Sequence, residues 1–196
     1  MATKSQTLVF VTHNKHKISE VSAITGSDIS VLGMADFNFF EEIPETAETL
    51  EGNALQKARY FHSRFHCNCF ADDTGLEVEA LGGRPGVYSA RYAGEHATYS
   101  QNVEKLLDEM RGVENRRARF VTVVALILDG REYLFEGEIK GEITRTPSGS
   151  SGFGYDPVFK PDLSDKTFAE LGEDEKNRCS HRGIALRKMI TFLKNR

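Results

Sequence analysis

The chain has 196 residues, of which 39% are hydrophobic and 28% charged, and its formal net charge is -4. That size suits one globular domain, residues 1–196, which buries roughly 70% of its unfolded surface and needs no disulfide or structural metal to fold. Charges of both signs are interspersed, which argues against a duplex-binding protein with a basic face.

Further classes fall away on residue types. The three cysteines, Cys67, Cys69 and Cys179, are odd in number and lack CxxC spacing. They read as reduced thiols of a cytoplasmic protein, not as a disulfide framework or a zinc site. No apolar stretch approaches the roughly 20 residues of a membrane span, and the polar opening, residues 1–6, shows no signal peptide. A soluble protein with no membrane and no nucleic-acid partner is expected.

In chain order, Leu8-Val9-Phe10-Val11 is a short apolar run ending in Thr12-His13-Asn14, which predicts a buried strand and a turn. Ile18, Val21 and Ile24 mark one face of a helix from Lys15. A second helix begins near Thr49, with Leu50, Ala54, Ala58, Phe61 and Phe65 on one side. Asn53 and Lys57, four apart on another face, can point at one target. Cys69-Phe70-Ala71 predicts a second buried strand, broken by Asp72-Asp73-Thr74-Gly75. Residues 82–94 form an ordered glycine-rich loop. Thr98 and Gln101 make a capping box for a helix carrying Val103, Leu106, Leu107 and Met110. Residues 118–128 and 132–139 are strand-like and joined through Asp129-Gly130, a strong hairpin signal. A second glycine-rich loop spans residues 148–157. The last helix starts at Ser180 and buries Leu186, Met189, Ile190 and Leu193. Strands interleaved with helices, plus one hairpin, give an α/β domain with a mixed sheet.

Four groups of residues carry possible chemistry. Thr12, His13, Asn14, Lys15, His16 and Lys17 lie between a strand and a helix N-terminus, where backbone N–H groups and the positive helix end attract phosphate. The segment is not a P-loop, and a plain connection with solvated lysines is the alternative. Asp72 and Asp73 follow a buried strand, where carboxylates need a cation. Hard oxygen ligands beside a phosphate site suit Mg²⁺, while an acidic turn is the bland reading. The acidic segment 41–48 offers a further ligand or a solvated face, and Pro44 stiffens the chain beside Glu45. Phe153, Gly154, Tyr155 and Asp156 can offer ring faces and an acceptor to a purine, or pack as an aromatic turn. Lys176, His181 and Arg182 put positive charge at a helix start, where it is disfavoured without an electronegative partner; a solvated basic turn is the alternative. A serine nucleophile is not indicated, since Ser89 lacks the Gly-x-Ser-x-Gly elbow.

The order of these motifs is more specific than any one of them. Thr12-x-Asn14-x-x-Lys17, Asn53-Ala54-x-x-Lys57-Ala58, Asp72-Asp73-Thr74-Gly75-Leu76, the run Gly82-Gly83-x-Pro85-Gly86-Val87-Tyr88-Ser89-Ala90-Arg91-Tyr92, Gly152-Phe153-Gly154-Tyr155-Asp156-Pro157 and Ser180-His181-Arg182-Gly183 occur in succession. The chain thereby resembles the inosine/xanthosine triphosphate pyrophosphatase family over essentially its whole length. The resemblance implies an elongated mixed β-sheet flanked by helices, two lobes around a central nucleotide-binding cleft, and a homodimer.

It further implies Mg²⁺-dependent hydrolysis of ITP, dITP and XTP to the monophosphate and pyrophosphate. Residues 12–17 would take the triphosphate with help from Lys57 and Thr74. Asp73 would be the catalytic carboxylate and a metal ligand, with Glu45 and Asp72 supporting the metal. Glu45 is preferred over Glu42 and Glu48 because it directly precedes the threonine, as in the family. Phe153, Gly154, Tyr155, Asp156, Lys176, His181 and Arg182 would bind base and sugar. Two departures stand out: Gly52 precedes Asn53 where the family often has an acid, and Arg178-Cys179 replace a small or apolar pair. The rival readings are a related hydrolase of modified pyrimidine nucleotides and a non-catalytic nucleotide- or RNA-binding module. The second leaves Asp72 and Asp73 without a partner.

Overall fold

A computed structural model describes residues 6–26 and 29–196; the polar opening, apart from Gln6, lies outside the described residues. The chain runs β1 (Gln6–Phe10), α1 (Lys15–Thr25), β2 (Ile29–Gly33), α2 (Leu50–Phe65), β3 (Cys69–Val78), β4 (Pro85–Gly86), α3 (Tyr99–Glu109), β5 (Arg117–Leu128), β6 (Arg131–Ile143), β7 (Phe159–Pro161), α4 (Glu173–Cys179) and α5 (His181–Lys194). The seven strands form one mixed sheet in the order β2-β1-β3-β5-β6-β7, with β4 paired to β3. β1 pairs in parallel with β2 and β3, while β3–β4 and β6–β7 are antiparallel. The α/β class with a mixed sheet is as expected.

Local chemistry explains where these elements begin and end. Asn14 caps α1 by accepting the N–H groups of His16 and Lys17, and Thr49 caps α2 by accepting that of Gly52. Thr98 and Gln101 form the reciprocal capping box of α3. Asp129 and Gly130 both have positive φ, 51° and 74°, the conformation a two-residue hairpin turn requires. One expectation is corrected. β3 is not broken at Asp72 but runs on to Val78, and Gly75 lies inside it. The strand is not broken there because each aspartate has its own cationic or amide partner and can stay in the sheet.

The chain divides into two compact units, described separately. The first comprises Met1–Asp73, Thr122–Gly137 and Arg182–Arg196. Its core joins Leu8, Phe10, Phe70, Val124, Leu126 and Leu128 of the strands to Val21 of α1 and Leu186, Met189 and Ile190 of α5. Phe10 and Phe70 are partners in the parallel β1–β3 register, and their rings stack at 4.7 Å. The second unit comprises Thr74–Val121 and Glu138–His181. Its core packs Val103, Leu106 and Met110 of α3 against strand residues such as Leu76, Phe120, Ile139 and Phe159. Among the described residues, no helix is long and apolar enough to cross a membrane.

Candidate functional site

In the first unit, β3 brings two buried carboxylates to neighbouring positions, and strand alternation sends them to different partners. Asp72 Oδ1 accepts the ammonium of Lys17 at 2.8 Å, and Asp72 Oδ2 accepts Arg182 Nε at 3.0 Å. Arg182, almost fully enclosed, also pairs with Glu20 of α1. Burial opposes ionisation of Asp72, but Lys17 and Arg182, with Lys57 beyond them, hold it well below the usual carboxylate range. Burial pushes Lys17 below its ordinary value, and nearby Lys57 and Arg182 add to this against the pull of Asp72.

Asp73 faces α2. Asn53 Nδ2 donates to its Oδ2 at 3.1 Å, and Lys57 Nζ stands 3.9 Å from its Oδ1. Lys57 also pairs with Glu45, so one ammonium lies between two carboxylates. Burial raises the Asp73 carboxyl above its ordinary range, Lys57 opposes the rise and Glu45 adds to it. The expected convergence of Asn53 and Lys57 on one target is what the structure shows, and the target is Asp73. Of the three candidate glutamates, Glu42 and Glu48 are exposed, whereas Glu45 is drawn in by Lys57.

This donor set can be weighed against Mg²⁺. Among the described residues, no group of three or more His, Cys, Asp or Glu side chains is arranged to hold an ion by itself. Glu45 and Asp73 nevertheless flank a single cation, and both are hard oxygen donors. Mg²⁺ is commonly held by one or two carboxylates with water and phosphate oxygens completing its shell, so the pair fits. Asp72, also expected to support the metal, has Lys17 on one oxygen and Arg182 on the other.

The remaining phosphate candidates sit around α1's start. Thr12 accepts the Asn14 N–H at 3.2 Å, His13 Nε2 lies 2.9 Å from the Glu41 carbonyl, and Lys15 and His16 are exposed. Because Asn14 already takes two first-turn amides, positive charge there comes chiefly from the lysines.

In the second unit, Thr74 is a half-buried residue of β3. Asp156 Oδ2 accepts both Lys176 Nζ at 2.7 Å and the Phe153 N–H at 2.9 Å. The same ammonium lies 4.9 Å from the centre of the Phe153 ring, and the Tyr99 ring is 5.9 Å from it. Gly152, at φ 77°, makes this possible, since a Cβ there would meet Asp156 Oδ2 at 2.1 Å. Gly154 also has positive φ. The His181 ring stacks on Phe120 at 4.6 Å. Tyr155 differs from the expected open ring face. Its ring is part of the core and its hydroxyl donates to the Ser89 carbonyl at 2.9 Å, which leaves Phe153 as the half-exposed ring.

Two participants were not singled out in the sequence. Glu20 lies one turn after Lys17 on α1, but its partner is the remote Arg182, which no local spacing signals. Gly152 belongs to the Gly152-Phe153-Gly154-Tyr155-Asp156-Pro157 motif, but nothing in the sequence signals that its missing Cβ makes room for Asp156.

Comparison with known proteins supports the family reading. The sequence model of the Ham1 family matches residues 8–192. A dITP/XTP pyrophosphatase of Flavobacterium johnsoniae is 52% identical over 95% of this chain and 97% of its own. One of Porphyromonas gingivalis is 50% identical over 95% and 96%. The solved structure of the Staphylococcus aureus Ham1 protein superposes with a TM-score of 0.88 at 38% identity, covering 97% of this chain and 99% of that one.

Proposed function

The chain belongs to the Ham1 family, and on that premise we propose that it hydrolyses non-standard purine nucleoside triphosphates, ITP, dITP and XTP, to the monophosphate and pyrophosphate with Mg²⁺. The observation that carries this reading is Asp73, a buried carboxylate held by Asn53 beside the ammonium of Lys57. Relatives named dITP/XTP pyrophosphatase match nearly the whole chain.

Water attacks the α-phosphorus and pyrophosphate leaves. Asp73 orients that water and accepts its proton. Lys57 and Lys17 offset charge that develops on the phosphate oxygens. Asp72 keeps Lys17 in place. Glu45 and Asp73 would hold Mg²⁺, which would supply polarisation of the phosphate oxygens and a more acidic water. No phosphoenzyme is required.

Base choice falls to the second unit. Lys176 and Asp156 present a donor next to an acceptor. Hypoxanthine and xanthine carry a 6-carbonyl next to N1–H, the matching order. Adenine carries an amino donor next to a bare nitrogen, the reverse. The Phe153 ring offers a face for stacking.

Product analysis tests the reaction. A nucleotide panel including dITP, XTP, dATP and modified pyrimidine triphosphates is incubated with Mg²⁺, and pyrophosphate and orthophosphate are measured separately. Pyrophosphate from dITP and XTP, abolished by chelator, is expected. Orthophosphate as the first product, or a preference for the pyrimidines, overturns the reading.

A further inference from the structure

Asn53 is completely buried on α2, and both ends of its amide are engaged. Oδ1 accepts the Ala47 N–H at 2.9 Å, and Nδ2 donates to Asp73 Oδ2 at 3.1 Å. Ala47 lies two residues beyond Glu45, so one side chain ties the segment that bears Glu45 to the strand that bears Asp73. The same helix grips that segment twice more. Gln56 Oε1 accepts the Thr46 N–H at 3.0 Å while its Nε2 donates to Thr46 Oγ1 at 3.1 Å, and Lys57 pairs with Glu45. Gly52 leaves room for this approach. A Cβ on Gly52 would stand 2.6 Å from the Ala47 methyl and 3.1 Å from Thr49 Oγ1, too close for the segment to stay where it is.

We propose that Asn53 is a positioning residue that sets the separation of Glu45 and Asp73, and thereby the affinity for a divalent cation. The inference rests on those two carboxylates being the cation's ligands. An extended segment such as residues 41–48 has no ladder of its own to hold a glutamate in one place. A buried amide with both ends bonded does so at little entropic cost, because moving either partner leaves a buried polar group unsatisfied. Side chains standing behind metal ligands commonly control affinity in this way. Gly52 belongs to the same device, as the gap into which Ala47 fits.

The test measures Mn²⁺ binding to the full chain without nucleotide, from the electron paramagnetic resonance of the free ion. Thermal unfolding and the kcat and KM for dITP at saturating Mg²⁺ are recorded alongside. Asn53→Leu removes both hydrogen bonds. Gly52→Ala keeps Asn53 and both carboxylates but pushes Ala47 off the helix, and it decides the matter if Asn53→Leu does not fold. Both variants are expected to weaken Mn²⁺ binding by about 10- to 100-fold, and Gly52→Ala to approach the parent kcat once Mg²⁺ saturates. Folded variants with the parent's Mn²⁺ affinity, even with reduced thermal stability, assign Asn53 to the fold alone and overturn the proposal, as does a parent protein that takes up no Mn²⁺. A parent that binds Mn²⁺ but releases no pyrophosphate from dITP sinks the proposed reaction instead and leaves the variants' Mn²⁺ titrations to decide this point.

Discussion

Arg182 donates through Nε to Asp72 Oδ2 at 3.0 Å, and each side chain is only 2% exposed. Removing one partner of a buried pair strands the other charge and costs roughly 3–5 kcal/mol. Asp72→Asn should therefore lower stability at neutral pH on that scale, as measured by urea unfolding. A loss below about 1 kcal/mol, the scale of an exposed pair, would contradict the enclosure described here.

The same aspartate makes stability depend on pH in a defined direction. Its folded-state pKa lies below the ordinary 3.8. Its contribution is thus fully present above 3.8 and is lost as pH falls from there through the lower folded value. The stability gap between the parent and Asp72→Asn should shrink as pH drops below 3.8. Unfolding measured at several acidic pH values checks this, and a constant gap would count against it.

Asp73→Asn should reduce turnover by at least about 10²-fold, the scale of a lost general base. KM for dITP should change far less, since Lys17, Lys57 and the Lys176–Asp156 pair remain. Steady-state kinetics at saturating Mg²⁺ provide the comparison. Near-parent turnover would move the role to another carboxylate.

The pH profile of kcat/KM should have an acid limb that Asp73→Asn removes, because activity needs that carboxylate unprotonated. On the alkaline side, burial lowers Lys17 below 10.5. Its charge, and with it the hold on phosphate, is lost earlier than for an ordinary lysine. Initial rates across the pH range measure both limbs. An acid limb that persists unchanged in Asp73→Asn would belong to some other group.

Gly152→Ala places a methyl carbon 2.1 Å from Asp156 Oδ2, too close for the carboxylate to stay. The displaced carboxylate can no longer accept from Lys176 and the Phe153 N–H in the same arrangement. A mispaired polar group costs about 1–3 kcal/mol. The ratio of kcat/KM for dITP over dATP should accordingly fall by about 10-fold or more. An unchanged ratio would remove Asp156 from base selection.

What was legible in the sequence was whatever local spacing encodes. Thr49 before α2, Thr98 with Gln101, and Asp129-Gly130 each state their structure within a few residues. The five-residue β2 was passed over, as was α4, whose sequence EDEKNRC buries only Lys176 and so has no apolar period to read. The continuity of β3 was misread because two adjacent aspartates look like a turn until their partners are known. Those partners are remote: Lys17 is 55 positions away from Asp72 and Arg182 is 110. The motifs marked which residues matter, but no spacing rule could reveal that Arg182 answers to Asp72 and Glu20. Its guanidinium was expected at the base, and in the structure its Nε pairs with Asp72 and its Nη1 with Glu20.

The cluster of the first unit joins three cationic side chains, Lys17, Lys57 and Arg182, to four carboxylates, Glu20, Glu45, Asp72 and Asp73. These named groups carry one more formal negative charge than positive, so a divalent cation among them would favour the approach of a polyphosphate. On the proposal that Glu45 and Asp73 hold Mg²⁺, nucleotide uptake would be linked to cation uptake, each raising the affinity for the other by the same factor. Apparent nucleotide affinity would then be a function of free divalent ion, and at a fixed nucleotide concentration occupancy would rise and fall with that ion.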